Sequence, residues 1–273
     1  MKYRERYIDG VVAEPSLAML FGKSVHTALE RLFQGQGEPC PVAAVPHADH
    51  LDCARSAYYA QFDTMRAMLA EDGIEAGGLL YLEGLRMIDQ VAAMQLNADG
   101  ASRSERWWTI PANEAHLAGA WPIVGAVDLW CPPWSQHGAV VFDFKTTVGS
   151  WSQARADRER WQPLLYAWAY ARAYGTVPIF RYLVLNRTTN DVQMFDRVWA
   201  SRAEFEDDLA DMRFHAEEIA EAVADGNFDC TRKHGNCLEC GESYTHGHEC
   251  RRPARHKLTL TRNGPVSDLV APG

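Results

Sequence analysis

Two short apolar segments carry the residues of this sequence that are best suited to catalysis. The first, VGAVDLW, contains Asp128, and the second, VVFDFKTT, contains Asp143 and Lys145. Two carboxylates that come together offer the oxygen ligands that Mg²⁺ and Mn²⁺ prefer. A cation held there polarises a phosphodiester and acidifies a bound water, and a nearby lysine can orient or deprotonate that water. The pattern favours a metal-assisted hydrolytic site, while a structural Asp–Lys pair at a strand end is the alternative for the DxK motif alone.

The spacing of these residues predicts that they share one end of a β-hairpin. Side chains alternate along a strand, so Asp143 and Lys145 point to the same face. The turn CPPWSQHG, centred near Ser135, folds the chain back and places Asp128 opposite position 142, give or take one residue. A slip of about one residue, for example through a bulge, would bring both acids to the same face.

Two helical segments supply further candidate residues. His26 lies in GKSVH at the flank of an apolar helical stripe, and Gly22 lies one turn before it. Imidazole is an acceptable ligand for Mn²⁺, although a packed core histidine is the alternative. Gln162 and Tyr166 have the i, i+4 spacing that puts both on one helix face. Their polar atoms could hold a phosphate or a base. Tyr166, Tyr170 and Tyr174 also form an aromatic stripe, however, and the spacing alone favours simple packing.

The apolar periodicity predicts the elements that position these residues. Helical spacing alternates with strand-like segments, without the regular alternation of a doubly wound fold. The pattern predicts an α/β protein with a mixed sheet flanked by helices. The predicted helices are Ser16–Phe33, Asp49–Glu71, Leu79–Leu96, Gln162–Tyr174 and Arg202–Asp225. The predicted strands are Arg106–Ile110, Trp121–Trp130, Ala139–Lys145, Ile179–Leu185 and Val192–Trp199.

Four motifs occur in a fixed order along the chain. They are GxxxH on the first helix, GxxD on a strand, DxK on the next strand and QxxxY on the next helix. This arrangement resembles the RecB-like branch of the PD-(D/E)xK nuclease superfamily, which includes CRISPR spacer-acquisition exonucleases, helicase–nuclease subunits and phage exonucleases. The resemblance spans about Tyr3 to Cys250 and includes the opening KYRERYIDG. It implies a restriction-endonuclease-like core with a central mixed sheet flanked by helices.

The resemblance also implies roles for individual residues. His26, Asp128 and Asp143 would bind Mg²⁺ or Mn²⁺, with the carbonyl of Phe144 as a further ligand. Asp128, Asp143 and Lys145 would form the catalytic centre, with Lys145 as the catalytic lysine. These roles make the site a predicted deoxyribonuclease centre.

DNA is the substrate that the resemblance implies, with Gln162 and Tyr166 positioning the strand. The expected activity is that of an exonuclease on single-stranded DNA or DNA ends, in recombination, repair, phage or CRISPR-adaptation processing. Helicase, recombination or CRISPR proteins are the expected partners. A catalytically silent DNA-binding or scaffold subunit is the alternative function, and a zinc-ribbon regulator is a third.

A basic segment lies between the DxK and QxxxY motifs. Arg155, Arg158 and Arg160 could contact phosphates, and Trp151 or Trp161 could stack on bases. A solvated surface is the alternative for the arginines, because runs of like charge commonly lie in water. The tryptophans are assigned no site role, since tryptophan is more often a core residue.

Four cysteines near the end of the sequence have metal-site spacing. Cys230, Cys237, Cys240 and Cys250 read C-x6-C-x2-C-x9-C, which predicts a structural Zn²⁺ or a [4Fe–4S] cluster. Iron–sulfur members of the resembled family usually take one cysteine from just before a KYRxRYI-like segment. This sequence has Met1 there, so Cys230 substitutes, the chain starts downstream of that cysteine, or the site holds zinc.

Length and composition are those of a globular protein. The 273 residues are 47% hydrophobic and carry a formal net charge of −9, which neither indicates nor excludes a nucleic-acid partner. We expect a nuclease domain at 1–228 with a helical insertion at about 49–97, a metal-binding segment at 229–252 and a mobile tail at 253–273. The charged start and the lack of a long apolar run predict a cytoplasmic protein without a membrane span.

Overall fold

The computed structural model describes residues 15–33, 50–71, 77–96, 103–111 and 122–225. Six helices and five strands lie within these ranges. The helices are α1 (Leu17–Phe33), α2 (His50–Glu71), α3 (Gly77–Ala93), α4 (Gln153–Arg158), α5 (Trp161–Tyr174) and α6 (Arg202–Ala224). The strands are β1 (Arg103–Ile110), β2 (Ile123–Cys131), β3 (Val140–Thr147), β4 (Ile179–Asn186) and β5 (Asp191–Arg197).

The strands form a single sheet in the order β1-β2-β3-β4-β5. Strands β3 and β4 are parallel, and the other neighbours are antiparallel. A parallel pair needs a crossover connection, and α4 and α5 supply it. The predicted mixed sheet flanked by helices is therefore confirmed.

One face of the sheet packs against α1 and α3, and α2 packs against these two helices. Alternate residues of the central strands, such as Leu129, Phe142 and Leu183, are buried in a core that also contains Val25 of α1 and Ile88 of α3. Burial of this apolar surface is the main force that fixes the helices on the sheet. The two helices of the predicted insertion, α2 and α3, thus share one core with α1.

The opposite face carries aromatic residues and faces α5. The rings of Trp130 and Tyr170 stack at 4.9 Å, and those of Tyr166 and Phe180 lie 6.1 Å apart. The Tyr170 hydroxyl donates to the carbonyl of Cys131 at 2.7 Å, which satisfies a polar group inside the core. The predicted aromatic stripe of α5 is therefore largely a packing surface.

Two glycines of the sequence motifs allow close approaches around the site. A Cβ at Gly22 would lie 3.0 Å from Thr146 Oγ1, and a Cβ at Gly125 would lie 2.5 Å from the indole of Trp108. Trp108 is also the strand partner of Gly125, so its ring covers the bare backbone there. Gly22 thus lets α1 lie close to the end of β3, and Gly125 lets the Trp108 ring pack against β2.

The structure differs from the sequence prediction mainly at α4, which was not predicted. Its start is capped by Ser152, whose Oγ accepts from the backbone N–H of Arg155 at 3.2 Å. Strand β1 begins at Arg103 and β3 ends at Thr147, each beyond the predicted bound. The opening KYRERYIDG, the predicted metal-binding segment and the predicted tail lie outside the described residues.

The chain divides into two compact units. The larger consists of Pro15–Ala115 and Trp121–Met212 and contains the sheet and the candidate site. The described part of the smaller unit is the end of α6 from Arg213 onward. Within the described ranges, none of the helices is long and apolar enough to cross a bilayer.

Candidate active site

Asp143 and Lys145 meet on the α5 face of β3. Lys145 Nζ lies 2.6 Å from Asp143 Oδ2, and the Asp143 side chain is only 3% exposed. Alternation along β3 puts both side chains on this face, as the sequence predicted. The buried carboxylate is thus paired within the protein with a lysine whose side chain is 31% exposed.

Gln162, in the first turn of α5, joins these two residues. Its Oε1 accepts from Lys145 Nζ at 3.1 Å, and its Nε2 donates to Asp143 Oδ1 at 2.9 Å and to the Tyr166 hydroxyl at 3.2 Å. The reversed amide would set an NH₂ group against the ammonium, so the chemistry of the partners fixes its orientation. Both N–H donors of Gln162 are therefore used within the protein.

Asp128 binds the backbone of β3 where strands β2 and β3 separate. The last backbone pair between the strands is Leu129 with Phe142, and the same register places Asp128 opposite Asp143. Asp128 Oδ2 accepts from the Phe144 N–H at 2.7 Å, so a side chain replaces the missing ladder acceptor. Both acids thus share a face in this register, and the predicted bulge is not needed.

The carbonyl of Phe144 faces the same gap. The N–H and C=O groups of a strand residue point to the same edge, and the Phe144 N–H is directed at Asp128. This carbonyl was the predicted backbone ligand. Its direction places it on the side of β3 from which the Asp128 carboxylate approaches.

His26 approaches Asp128 from α1. Its Nδ1 lies 3.4 Å from Asp128 Oδ1, and its ring lies edge-on to that of Phe144 at 6.3 Å. The side chain is 34% exposed. Partial burial lowers the pKa of His26, but the hydrogen bond and charge of Asp128, with the charge of Asp143, outweigh it and leave the pKa raised.

The electrostatics of the site centre on Asp143. Burial, followed by the charge of Asp128, raises the pKa of Asp143 to about 7, although Lys145 and His26 act in the opposite direction. Two acids held together out of water repel each other and lack hydration. The protein therefore keeps an ionised Asp143 only at a free-energy cost.

The donor set of the site fits a hard divalent cation. Asp128 and Asp143 offer carboxylate oxygens, Phe144 offers a carbonyl and His26 offers a ring nitrogen. The raised pKa of Asp143 marks a buried acid that a cation would relieve. In the described part of the chain, however, no three His, Cys, Asp or Glu side chains are already gathered as a metal site.

Aromatic residues that the sequence analysis did not select line the site. Tyr182 is the parallel register partner of Asp143, and Lys145 Nζ lies 5.8 Å from its ring centroid. Its hydroxyl donates to the Glu159 carbonyl at 3.1 Å. Trp108 lies edge-on to Tyr166 at 6.1 Å. Their positions depend on the strand order and register, which no local sequence signal gives.

The structure brings together all six site residues that the sequence predicted within the described ranges, and it places the Phe144 carbonyl beside them. The six residues are His26, Asp128, Asp143, Lys145, Gln162 and Tyr166. The predicted structural metal ligands Cys230, Cys237, Cys240 and Cys250 lie outside the described residues.

Comparison with known proteins identifies the class. The model of the PD-(D/E)XK nuclease superfamily matches residues 1–243, which is most of the chain. The chain therefore belongs to the PD-(D/E)XK nuclease superfamily. This places it among nucleases, which hydrolyse phosphodiester bonds, and members of the superfamily generally use Mg²⁺ or Mn²⁺. No curated protein matches the chain.

One solved structure agrees on the fold. A crystal structure named "Putative exonuclease", from Eubacterium rectale, is 13% identical and has a TM-score of 0.52. The match covers 90% of this chain and 80% of that one. The fold is thus restriction-endonuclease-like. The crystal structure of SSO0001 is 12% identical over 80% of this chain and 83% of that chain, but its TM-score of 0.30 is too low to bear on the fold.

Proposed function

We propose that this nuclease is a metal-dependent deoxyribonuclease that acts as an exonuclease on single-stranded DNA or DNA ends. The observation that supports it best is the contact of Lys145 Nζ with Asp143 Oδ2 at 2.6 Å. Gln162 holds both groups, and Asp128 lies on the neighbouring strand. A lysine beside a pair of acids suits metal-assisted phosphodiester hydrolysis, because the acids can hold the cation and the ammonium can stabilise developing charge.

The proposed ligands of a Mg²⁺ or Mn²⁺ ion are Asp128, Asp143, His26 and the Phe144 carbonyl. When bound, such an ion polarises the phosphodiester and lowers the pKa of a water molecule. The protein contributes fixed donors, because Asp128 is bonded to the β3 backbone and Asp143 to Gln162. Fixed donors need no rearrangement as charge develops in the reaction.

Lys145 is the proposed catalytic lysine. Its ammonium offsets the negative charge that grows on the attacked phosphate, and it can orient the attacking water. Gln162 Oε1 holds this ammonium at 3.1 Å. Tyr166, whose hydroxyl accepts from Gln162, would position the DNA strand together with Gln162. A misplacement of about 1 Å at such a site can cost roughly a hundredfold in rate.

The alternative function is a catalytically silent DNA-binding or scaffold subunit. The acid, lysine and histidine positions are all filled, and their side chains contact one another. A silent platform has no need to keep two acids at the cost that the raised pKa of Asp143 reveals. This observation favours catalysis.

The proposal is tested with purified protein on two substrates, an end-labelled linear single-stranded DNA and a circular single-stranded DNA. Each is incubated with Mg²⁺, Mn²⁺ or EDTA. Labelled RNA and duplex DNA serve as comparison substrates. We expect the linear strand to be shortened with either metal, and the circle to stay intact. Cleavage of the circle would contradict exonuclease action, and cleavage in EDTA would contradict metal dependence. Binding without cleavage would favour the silent subunit.

The predicted structural metal and partners remain proposals. The cysteine set could hold zinc or a [4Fe–4S] cluster, which the metal content and a broad absorption band near about 400 nm would distinguish. Roles in repair, recombination or CRISPR adaptation rest on the resemblance alone. Co-purification with a helicase or recombination protein would test them.

A further inference from the structure

A basic segment lies shortly after β3, and Trp151, which precedes its arginines, is separated from Lys145 by one aromatic ring. The Trp151 ring lies 5.1 Å from that of Tyr182, and Tyr182 is the residue whose ring lies 5.8 Å from Lys145 Nζ. Helix α4 begins two residues after Trp151. The start of α4 therefore lies in the neighbourhood of Lys145.

Trp151 supports an arginine and does not present an open ring. The guanidinium of Arg155 lies 4.4 Å from its centroid, and the rings of Tyr182 and Phe195 lie 5.1 and 6.3 Å away. Stacking on an aromatic face restricts the guanidinium while leaving its N–H groups available. A ligand would therefore meet the guanidinium of Arg155, which Trp151 holds in place, and not the ring of Trp151.

Arg158 shares the face of α4 that carries Arg155, because the two residues are spaced i, i+3. Among the described residues, neither arginine has a carboxylate partner. Two acids are close in sequence: among the described residues Glu159 forms no ion pair with either arginine, and Asp157 accepts from Gln153 Nε2 at 2.8 Å. The same nitrogen of Gln153 also donates to the Asp196 carbonyl of β5 at 3.1 Å. Asp157 is thereby drawn to the other side of α4.

Arg160 differs from these two residues. Its guanidinium stacks on Trp161 at 4.0 Å, but it is also paired with Asp211 of α6 at 3.0 Å. A phosphate would have to compete with this carboxylate. We therefore exclude Arg160 and name Arg155 and Arg158 the arginine ledge.

We propose that the arginine ledge binds the phosphate backbone of the single strand beside the scissile bond. The inference rests on the proposed function, and it specifies which side of the site the strand occupies. Guanidinium groups without acid partners suit phosphate oxygens, and such contacts do not depend on base sequence. The ledge thus supplies affinity and register without taking part in hydrolysis.

The test measures binding separately from cleavage. Fluorescence anisotropy of a labelled single-stranded DNA 20-mer is recorded in EDTA over a range of salt concentrations. The protein carries R155Q and R158Q together. The control is R202Q, since Arg202 also lies over an aromatic ring, that of Phe205 at 5.6 Å, but is already paired with Glu206 at 2.7 Å. Unchanged thermal melting of both variants establishes that they are folded.

We expect the ledge variant to weaken binding at least about fivefold, and to reduce the slope of log Kd against log salt by about 1.4, the value for two lost contacts to a single strand. With metal present, KM rises and kcat at saturating DNA is unchanged. The proposal would be overturned if the ledge variant had the same Kd and the same salt slope as the wild type. It would also be overturned if the wild-type protein did not bind the single-stranded DNA. A wild-type protein that binds this DNA but does not cleave it when metal is present would refute the proposed deoxyribonuclease activity, and the change in salt dependence would still test the arginine ledge.

Discussion

Asp128 Oδ2 accepts a hydrogen bond from the backbone N–H of Phe144 at 2.7 Å. One carboxylate thus completes the sheet where β2 and β3 separate, and its other oxygen faces His26 at 3.4 Å. The structural and chemical roles of Asp128 are therefore combined in one side chain. Substitutions that keep or remove the acceptor oxygen can separate them.

The first prediction compares D128N with D128A. The Asn side chain keeps an oxygen that can accept from Phe144, so we expect its stability to stay close to that of the wild type. The Ala variant leaves a partly buried N–H without this partner, at a cost of about 1–3 kcal/mol. Both variants are expected to lose cleavage. Denaturant unfolding and a cleavage assay check this, and equal stability of the two variants would contradict the capping role.

The second prediction concerns the stability cost of Asp143. Its pKa rises from the ordinary value of 3.8 to about 7 on folding, so the folded protein favours the protonated acid. The resulting penalty is absent below the lower value, grows as the pH rises between the two values, and is constant above the higher one. In EDTA at pH 8, D143N should therefore melt at least about 3 °C higher than the wild type.

This difference should shrink as the pH falls towards the ordinary value of 3.8 and disappear at about pH 3, where Asp143 is protonated in both the folded and the unfolded chain. Melting curves in EDTA from about pH 3 to pH 8 provide the measurement. A D143N protein that melts below the wild type at pH 8 would show that the pairing of Asp143 with Lys145 outweighs burial. D63N, at an exposed acid of α2, is the control and should show no such trend.

A third prediction tests the packing of α2 against α3 through two glycines. A Cβ at Gly84 would lie 2.0 Å from the hydroxyl oxygen of Tyr58, a fully buried side chain that bonds to the Leu80 carbonyl. We expect G84A to destabilise the protein by about 1–3 kcal/mol. Gly78, in the same helix, has open space around it, so G78A should be neutral or stabilising by up to about 1 kcal/mol. Equal effects of the two changes in denaturant unfolding would contradict this packing.

The fourth prediction separates two roles of Gln162. If it chiefly holds Lys145 and Asp143, Q162A should lower kcat by about 10- to 100-fold and leave the Kd for DNA nearly unchanged. If it chiefly contacts DNA, KM should rise while kcat is kept. The hydrogen bonds of its amide to both residues favour the first result. Q136A, at the opposite end of β3, serves as the control and should change neither constant.

Much of the site could be predicted because its geometry is local. Alternation along β3 alone places Asp143 and Lys145 on one face, and helical spacing alone pairs Gln162 with Tyr166. The register across the hairpin was predicted to within one residue. The expected bulge was unnecessary, because the register places Asp128 opposite Asp143 and not opposite position 142, the centre of the predicted range.

The remaining features depend on contacts between distant segments. Tyr182 lies beside Asp143 only because β4 pairs in parallel with β3, a register that neither strand encodes by itself. Helix α4 did have a local signal, the capping residue Ser152, but six residues are too few to show a clear apolar period. Side-chain chemistry was thus easier to predict than the surface that surrounds it.

The most direct test of the central claim is cleavage of end-labelled single-stranded DNA by K145A and D143N, beside the wild type and D63N, with Mg²⁺ or Mn²⁺. Asp63 is an exposed acid of α2 paired with Arg66, so its variant controls for loss of a carboxylate away from the site. We predict that cleavage falls by at least about a hundredfold in K145A and D143N, that DNA binding persists in both, and that D63N matches the wild type. Cleavage at the wild-type rate in K145A and D143N would contradict the assignment of the active site.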